Sequence, residues 1–255
     1  MQGLTTTKQL DVFFKTLFNI EAWEDISLNG LQVDNDGAEI GKIAFAVDAC
    51  METFERTALA GASMLFTHHG LFWGKPLALN GAARSRLKFL LDNNIALYAV
   101  HLPLDQHPRL GNNAVLAKKL EMENVEPFGL YHGNRIGFKG TLKKPLSVDE
   151  AVQRVGFMNR PPLSVLPFGA AESRTAAVVS GGAADMVHEA LAEGIDLFVT
   201  GESSHSCYHY ALEEGINVIA AGHYNSEVWG VRAVMEYCVN ELFIDAEFID
   251  APTGL

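Results

Sequence analysis

An internal repeat constrains the fold of this chain more than any other feature of its sequence. The segment ALAGASMLFTHHG (58–70) aligns with ALAEGIDLFVTGES (190–203), which carries one extra residue. Further along, IALYAVHLPLD (95–105) aligns with NVIAAGHYNSE (217–227). In each copy of this second segment, a histidine follows an apolar run and a carboxylate comes four residues later. Self-similarity on this scale predicts two related lobes.

Both halves alternate short apolar runs with amphipathic stretches, which predicts an α/β fold. The predicted strands are 42–48, 63–67, 95–100, 175–180, 195–200 and 216–221, with a last strand near FIDAEFID. The predicted helices are an opening helix with an apolar stripe from Leu10 to Phe18, then 51–61, 82–92, 184–194, 204–215 and a long helix from about Ser226. Strands that read as continuous apolar runs are typical of parallel sheets buried on both faces. We therefore predict two similar, interlinked α/β lobes with mostly parallel sheets flanked by helices.

The predicted domains are a first lobe at 1–123 and a second at 124–255, and the final helix and strand could pack back on the first lobe. The stretch 124–174 is interpreted as a small connecting part of the second lobe. It contains a capping box, Ser147 to Glu150, which predicts the start of a short helix.

Composition and charge exclude several classes of function. The net charge of −12 argues against a protein that binds the phosphate backbone of nucleic acids. The N-terminal stretch does not read as a secretory signal, and no apolar run approaches the roughly 20 residues of a membrane helix. Cys50, Cys207 and Cys238 are widely spaced and are interpreted as reduced thiols. We expect a cytoplasmic protein without a membrane segment.

Histidines and carboxylates follow the predicted strands in both halves. In open α/β sheets, ligands bind beyond the carboxyl ends of the strands. The residues at these ends are His68, His69, His101, Asp105, Glu202, His223 and Glu227. Imidazole and carboxylate together suit zinc, iron, manganese or nickel better than calcium. The sequence therefore predicts a metal site.

The spacing of these residues limits how they can share a metal. Neighbouring residues in a regular strand point to opposite faces, so His68 and His69 converge only if they leave the strand or serve two adjacent ions. His223 and Glu227 face the same point if the helix has begun by then. Either Asp105 or Glu227 could bridge two ions. Such a ligand set leaves coordination positions open, which is typical of catalytic metal sites.

Five motifs carry a resemblance to a known family: SLNGLQV, THHG, HLPLD followed by HP and GNN, TGE, and GHYNSE. In this order they resemble the dinuclear-metal-centre proteins of the GTP cyclohydrolase I type 2-like family, which are related to the NGG-interacting factor. The resemblance covers nearly the whole chain and implies the short bacterial form. It implies two divalent metal ions per chain (Zn, Fe, Mn or Ni), located between the lobes. The ligands implied by motif match are His68, His69, Asp105, His223 and Glu227.

The resemblance also suggests roles for two further residues and an assembly. His101 and Glu202 match motif positions near the centre and are assigned to proton transfer or to supporting the ligands. Direct metal binding remains an alternative for His101. For Glu202 the alternative is capping of the next helix, which Ser203 or Ser204 could also do. The implied assembly is a ring-shaped homohexamer.

Two functions follow from these residues. The first is a metal-dependent hydrolase that acts through a metal-bridging water, with a nucleotide or purine ring as its small-molecule substrate. The alternative is a non-catalytic metal-binding assembly or scaffold protein. The segment SGGAAD (180–185) could hold an anion, but without a complete phosphate-binding motif a tight turn is favoured.

Overall fold

The computed structural model describes residues 5–255 and confirms the predicted α/β class, with two sheets flanked by helices. Contacts within the chain define two units. The first contains the residues up to Leu104 together with Val231–Ala251, and the second contains Asp105–Gly230 with Pro252–Leu255. The predicted boundary at 123/124 lies inside the second unit.

The helices and strands alternate along the chain, as the sequence predicts. Among residues 5–255 the helices are α1 (Thr7–Phe18), α2 (Met51–Leu59), α3 (Gly81–Asp92), α4 (Leu102–Gln106), α5 (Asn112–Lys119), α6 (Val148–Val155), α7 (Val187–Ala192), α8 (His205–Glu214) and α9 (His223–Leu242). The strands are β1 (Gly30–Val33), β2 (Lys42–Asp48), β3 (Met64–His69), β4 (Ala96–Ala99), β5 (Met122–Tyr131), β6 (Asn134–Leu146), β7 (Ser164–Pro167), β8 (Ser173–Val179), β9 (Leu197–Thr200), β10 (Asn217–Ala220) and β11 (Asp245–Phe248). Short 3-10 turns occur at Ile20–Ala22 and Ala184–Met186. None of the helices that the structure describes is both long and apolar enough to cross a bilayer.

The first unit contains a five-stranded sheet in the order β1-β4-β3-β2-β11. Strands β4, β3, β2 and β11 are parallel, and only β1 runs antiparallel, next to β4. Asp245 of β11 pairs with Lys42 of β2, so the last strand of the chain lies in the sheet of the first unit. Parallel pairing places the carboxyl ends of β2, β3 and β4 at the same edge of this sheet.

The central strands β2, β3 and β4 are mostly apolar and buried because both faces of the sheet are covered. On one face, Phe66 of β3 lies 5.3 Å from the Phe14 ring of α1 and 6.0 Å from Tyr98 of β4. On the other face, Leu65 packs in a cluster with buried side chains of α2 and α3, including Phe54 and Leu90. Each large side chain buried in this way contributes about 1.5–3 kcal/mol to stability.

The second unit contains a six-stranded sheet in the order β5-β6-β8-β9-β10-β7. Only β8, β9 and β10 are parallel, while β5, β6 and β7 pair antiparallel, so this sheet is more mixed than predicted. The difference comes from 124–174, which contains β6, β7 and most of β5 rather than forming a small connection. His132 and Gly133, with φ of 46° and 82°, close the β5–β6 hairpin as its two-residue loop. A two-residue loop with positive φ at both positions is the favoured hairpin turn, and a glycine at its second position is typical of it.

Helices α5 and α6 cover one face of the second sheet. Leu116 of α5 and Val155 of α6 belong to the same buried cluster as Val178, Val199 and Ile219 of the sheet. The predicted capping box opens α6: the Ser147 hydroxyl accepts a bond from the Glu150 amide, and the Glu150 carboxylate accepts one from the Ser147 amide. The residues of this box therefore set where α6 begins.

Two boundaries differ from the prediction in a way that matters for function. Strand β3 continues to His69, so both histidines of the THHG motif belong to the strand. Helix α9 begins at His223, three residues before the predicted start. Each shift brings a predicted ligand into a regular element, which fixes the direction of its side chain more tightly than a loop would.

Candidate metal centre

The first unit brings three histidines together at the carboxyl end of its sheet. His68 and His69 end β3, and His101 lies between β4 and α4, at the entry to that helix. Their metal-binding ring nitrogens lie within 4.8 Å of one another. His68 is completely buried, and the His69 and His101 side chains are each 17% exposed. The cluster is therefore largely shielded from solvent.

His68 and His69 converge although both belong to a strand, so leaving the strand is not required. Their ring centroids are 4.7 Å apart. Both residues lie beyond Thr67, which forms the last registered pair with β4. On the other side of the strand His69 still pairs with Asp48 of β2, so only the β4 side is open at this end. Neighbouring residues can therefore present nitrogens to one place.

In all three rings, Nδ1 is bonded to an oxygen. His68 Nδ1 lies 2.9 Å from the Val100 carbonyl, and His69 Nδ1 lies 2.8 Å from Asp48 Oδ1. His101 Nδ1 lies 3.0 and 3.1 Å from the two oxygens of Asp25. A carbonyl or an ionised carboxylate only accepts, so each Nδ1 carries the proton and the lone pair of a neutral ring is on Nε2. This pattern is typical of metal-ligating histidines.

Asp25 was missed by the sequence reasoning, although it precedes the SLNGLQV motif closely. Its side chain is only 2% exposed and also accepts bonds from the Ser27 and Leu102 amides and the Asn29 side-chain amide. Burial alone would raise the pKa of Asp25, but the bonds and charge of His101, with the other donors, lower it to about 2. Asp25 is therefore ionised at neutral pH and holds His101 in one orientation.

In the second unit, His223 is placed between two carboxylates. His223 and Glu227 lie one turn apart at the start of α9, and His223 Nε2 lies 3.2 Å from Glu227 Oε1. His223 Nδ1 lies 2.5 Å from Glu202 Oε1, after β9. Burial by itself would lower the pKa of His223, but Glu227 and Glu202 outweigh it and raise the pKa to about 9. His223 Nε2 and Glu227 Oε1 therefore face each other at 3.2 Å, and the ring is an ion-pair partner of the carboxylate when it is protonated.

A glycine turn passes directly beside this pair. Gly181 follows β8 with a φ of +68°, and a Cβ at this position would lie 2.5 Å from Glu227 Oε1. Its carbonyl accepts bonds from the amides of Gly201 and Glu202, and its amide donates to Ser226 Oγ. The SGGAAD segment is thus a tight turn, as favoured by the sequence. Only glycine combines this backbone conformation with the close approach of the Glu227 carboxylate.

Asp105 is 5% exposed and is oriented by two neutral donors. Asp105 Oδ1 accepts bonds from Asn112 Nδ2 at 2.9 Å and from Ser180 Oγ at 2.8 Å. Asn112 Oδ1 in turn accepts the Gly230 amide of α9 at 2.7 Å. Asn112 belongs to the GNN motif, and the sequence alone assigns no role to it. These two donors fix the direction of the Asp105 carboxylate.

The structure shows which residue caps α8 and what Glu202 contacts. Helix α8 is capped by Ser204, whose hydroxyl accepts the Cys207 amide, while Glu202 bonds to His223. His107 has a role in the loop after α4, where its Nδ1 accepts the amides of Arg109 and Leu110. Of the seven predicted residues, the structure brings His68, His69 and His101 together in the first unit and Glu202, His223 and Glu227 together in the second.

The donor atoms of each unit fit a divalent transition metal. The first unit offers three imidazoles with the tautomer that metal binding requires, and the second offers an imidazole and carboxylates. Zinc, iron, manganese and nickel bind such mixed sets, whereas calcium prefers oxygen donors alone. The fold and these donors define a class of protein: two α/β units that carry histidines and carboxylates at the carboxyl ends of their strands.

Comparison with known proteins gives the family. The model of the Duf34/NIF3 (NGG1p interacting factor 3) family matches residues 5–252. This chain therefore belongs to the Duf34/NIF3 family. A protein of Archaeoglobus fulgidus named GTP cyclohydrolase 1 type 2 homolog is 45% identical over 243 residues, which cover 95% of this chain and 97% of the relative. A protein of the same name from Treponema pallidum is 39% identical, over 98% of this chain and 100% of its own length.

Solved structures agree with this assignment. A crystal structure of a protein from Thermus thermophilus has a TM-score of 0.90 and 34% identity, covering 98% of this chain and 100% of its own. HcgD from Methanocaldococcus jannaschii, in a structure described as reduced, has a TM-score of 0.84 and 27% identity, covering 96% of this chain and 98% of its own. The family and the fold suggested by the motifs are confirmed.

Proposed function

We propose that this protein is a metal-dependent hydrolase that binds two divalent ions per chain through His68, His69, Asp105, His223 and Glu227. One observation carries the proposal. His68, His69, His101 and His223 each have Nδ1 bonded to an oxygen atom. The same arrangement therefore occurs in four rings and in both units. Isolated histidines would not all be expected to share it. Such outer partners orient ligating imidazoles and increase their basicity.

The residues around the ligands have separate tasks. Divalent ions lower the pKa of water in such sites and so supply a nucleophile near neutral pH. His101, fixed by Asp25, accepts or donates a proton at Nε2. Glu202, through its bond to His223 Nδ1, orients that ring and takes part in proton transfer. Asn112 and Ser180 hold Asp105 in the direction in which it binds.

The substrate class comes from the relatives. Two relatives that share 45% and 39% identity with this chain are named GTP cyclohydrolase 1 type 2 homolog. We propose a nucleotide as the substrate, with the purine ring as the part that reacts. A cytoplasmic location and a ring-shaped homohexamer belong to the same proposal, and light scattering of the purified protein tests the assembly. A mass six times that of the 27.8 kDa chain is expected, and a monomer would contradict the ring.

Elemental analysis of protein purified without added metal or chelator is the first test. About two ions per chain are expected, as in a dinuclear site, and none after reconstitution would overturn the proposal. His68→Ala is expected to lose metal. His188→Ala, which changes an exposed histidine of α7, is the matched control and is expected to keep it.

Turnover of the metal-loaded protein is the second test. Glu202→Gln and His101→Ala are expected to keep both ions and lose most of the rate with a nucleotide substrate. Loss of an ion in His101→Ala would move this residue into the ligand set. A wild-type protein that holds two ions but turns over no nucleotide would instead be the non-catalytic metal-binding assembly protein.

A further inference from the structure

A pocket of about 470 Å³ lies in the second unit, beside the loop that carries Glu202. It is formed by the start of α8, the two residues before that helix, and the edge strand β7. The polar and aromatic residues that line it are Ser164, Ser203, Ser204, His205, Tyr208 and His209. A volume of this size falls within the range of small-molecule sites. None of these residues has a role in the metal centre described above.

Three rings form the walls of this pocket, and neighbouring rings stand nearly at right angles. The His205 and His209 rings are 5.8 Å apart at 90°, and the Tyr208 and His209 rings are 5.5 Å apart at 82°. Phe168 also contacts Tyr208, at 5.1 Å and 81°, and supports that ring. Perpendicular walls suit a flat aromatic ligand, which stacks on one ring and meets the edge of another.

The polar groups of the pocket are hydroxyls and imidazoles. The hydroxyls of Ser164 and Ser203 are 2.7 Å apart, across β7 and the loop after β9. Each hydroxyl both donates and accepts, and the Tyr208 hydroxyl and the imidazoles add further groups of this kind. In the part of the chain that the structure describes, no lysine or arginine lines the pocket. The lining therefore suits an uncharged heterocycle with polar edges better than a phosphate group, which arginine and lysine bind.

The position of the pocket relates it to the chemistry. Ser203 directly follows Glu202, and Glu202 bonds to His223. A ligand held by Ser203 is thus bound next to a residue of the proposed active site. The loop from Glu202 to Ser204 is short and is tied to the Gly181 turn through the Glu202 amide. The hydrogen-bonded loop from Glu202 to Ser204 therefore connects the pocket to the residues around His223.

We propose that this pocket binds the purine ring of the nucleotide substrate by stacking on Tyr208 and His209 and by hydrogen bonds from the serine hydroxyls. The inference rests on the proposed function and names the residues that select its substrate. The purine ring is then held next to Glu202, the residue assigned to proton transfer. A substrate lacking the base would lose this contact and keep any contact that its phosphates make.

Binding of guanosine to the full-length protein tests the proposal, with isothermal titration calorimetry as the measurement. Guanosine carries the purine ring without phosphates, and ribose 5-phosphate carries a phosphate without the ring. Both are titrated into metal-free and metal-loaded protein. Guanosine is expected to bind in both states, and Tyr208→Ala is expected to weaken it by about tenfold, the order that base–aromatic stacking contributes.

Tyr210→Ala is the matched control, because Tyr210 lies on the same helix, is 46% exposed where Tyr208 is 43% exposed, and does not line the pocket. This variant is expected to bind guanosine within twofold of the wild type. Both tyrosines are exposed, so both variants are expected to fold, which far-ultraviolet circular dichroism checks.

Three outcomes would overturn the subsite: no guanosine binding by the wild type, equal loss in both tyrosine variants, or no loss in Tyr208→Ala. Metal content is measured on the same samples. If the ions bind and nucleotides turn over while Tyr208→Ala binds guanosine normally, the subsite is wrong and the hydrolase proposal stands. If guanosine binding depends on Tyr208 but no metal binds, the proposed function fails separately.

Discussion

Asp25 holds His101 with both carboxylate oxygens, at 3.0 and 3.1 Å from the ring Nδ1. The two residues are 76 positions apart in the chain, and the Asp25 side chain is only 2% exposed. A carboxylate that accepts from Nδ1 fixes both the tautomer and the rotation of the imidazole. The structure thus sets His101 in the state in which Nε2 is able to accept a proton.

Replacing Asp25 by asparagine is expected to change the tautomer of His101. The amide has no negative charge and offers a donor where the carboxylate only accepts, so the ring proton moves toward Nε2. Ring ¹⁵N chemical shifts of metal-free protein measure this directly. The hydrolytic rate of the loaded protein is expected to fall by about 100-fold, as for loss of a proton-transfer group, with the metal content unchanged.

The control for this variant is Asp36→Asn. Asp36 also accepts a side-chain amide, from Asn94, and a backbone amide, from Ala38, but it is exposed and distant from the histidines in sequence. The His101 tautomer and the rate are expected to match the wild type. An Nδ1–H tautomer that persists in Asp25→Asn would show that Asp25 does not set the state of His101.

Gly181→Ala is expected to destabilise the protein and reduce its metal content. Its positive φ costs a side chain about 1–2 kcal/mol, and the new Cβ would overlap Glu227 Oε1, so the carboxylate must move. Gly194→Ala isolates the first effect, because Gly194 has a φ of +69° and open space around it. Urea unfolding and elemental analysis measure both variants. Equal metal content in the two would contradict the role of the close approach.

Ser147→Ala is expected to lower the free energy of unfolding by about 1 kcal/mol, the usual cost of removing a helix N-cap. The substitution removes the acceptor for the Glu150 amide and leaves the first turn of α6 without its reciprocal bond. Ser85→Ala changes an exposed serine inside α3 and is expected to stay within about 0.5 kcal/mol of the wild type. Chemical denaturation provides the comparison, and a smaller loss in Ser147→Ala than in Ser85→Ala would argue against the cap.

The Cys238 thiol is expected to resist alkylation in the folded protein. It is completely buried in α9, and burial raises its pKa to about 12, so the reactive thiolate is absent at neutral pH. Cys50, which is partly exposed, is the internal comparison and is expected to react first. Mass spectrometry of iodoacetamide-treated protein, native and in urea, measures this. Modification of Cys238 in the native protein at the rate of Cys50 would contradict the prediction.

Much of the fold could be predicted from local pattern. Continuous apolar runs such as 42–48 become strands with the predicted bounds, because parallel strands need apolar residues on both faces. The hairpin that contains His132 and Gly133 was missed, since β5 has a largely exposed, charged pattern and pairs at the edge of its sheet. An edge strand of this kind resembles a loop in composition.

The sequence by itself determined the residue types of the candidate site and their positions after strands. Apolar runs and histidine motifs are patterns of neighbouring residues, so they can be recognised without the tertiary structure. It also determined the start of α6, through Ser147 and Glu150. Only the tertiary structure decided that Asp25, Asp48 and Val100 bond to the histidines, that Glu202 bonds to His223 rather than capping α8, and that β11 joins β2. These contacts join residues that are far apart in the chain. Hydrogen bonding over such separations depends on how strands and helices pack. It therefore cannot be predicted from the spacing of residues along the chain.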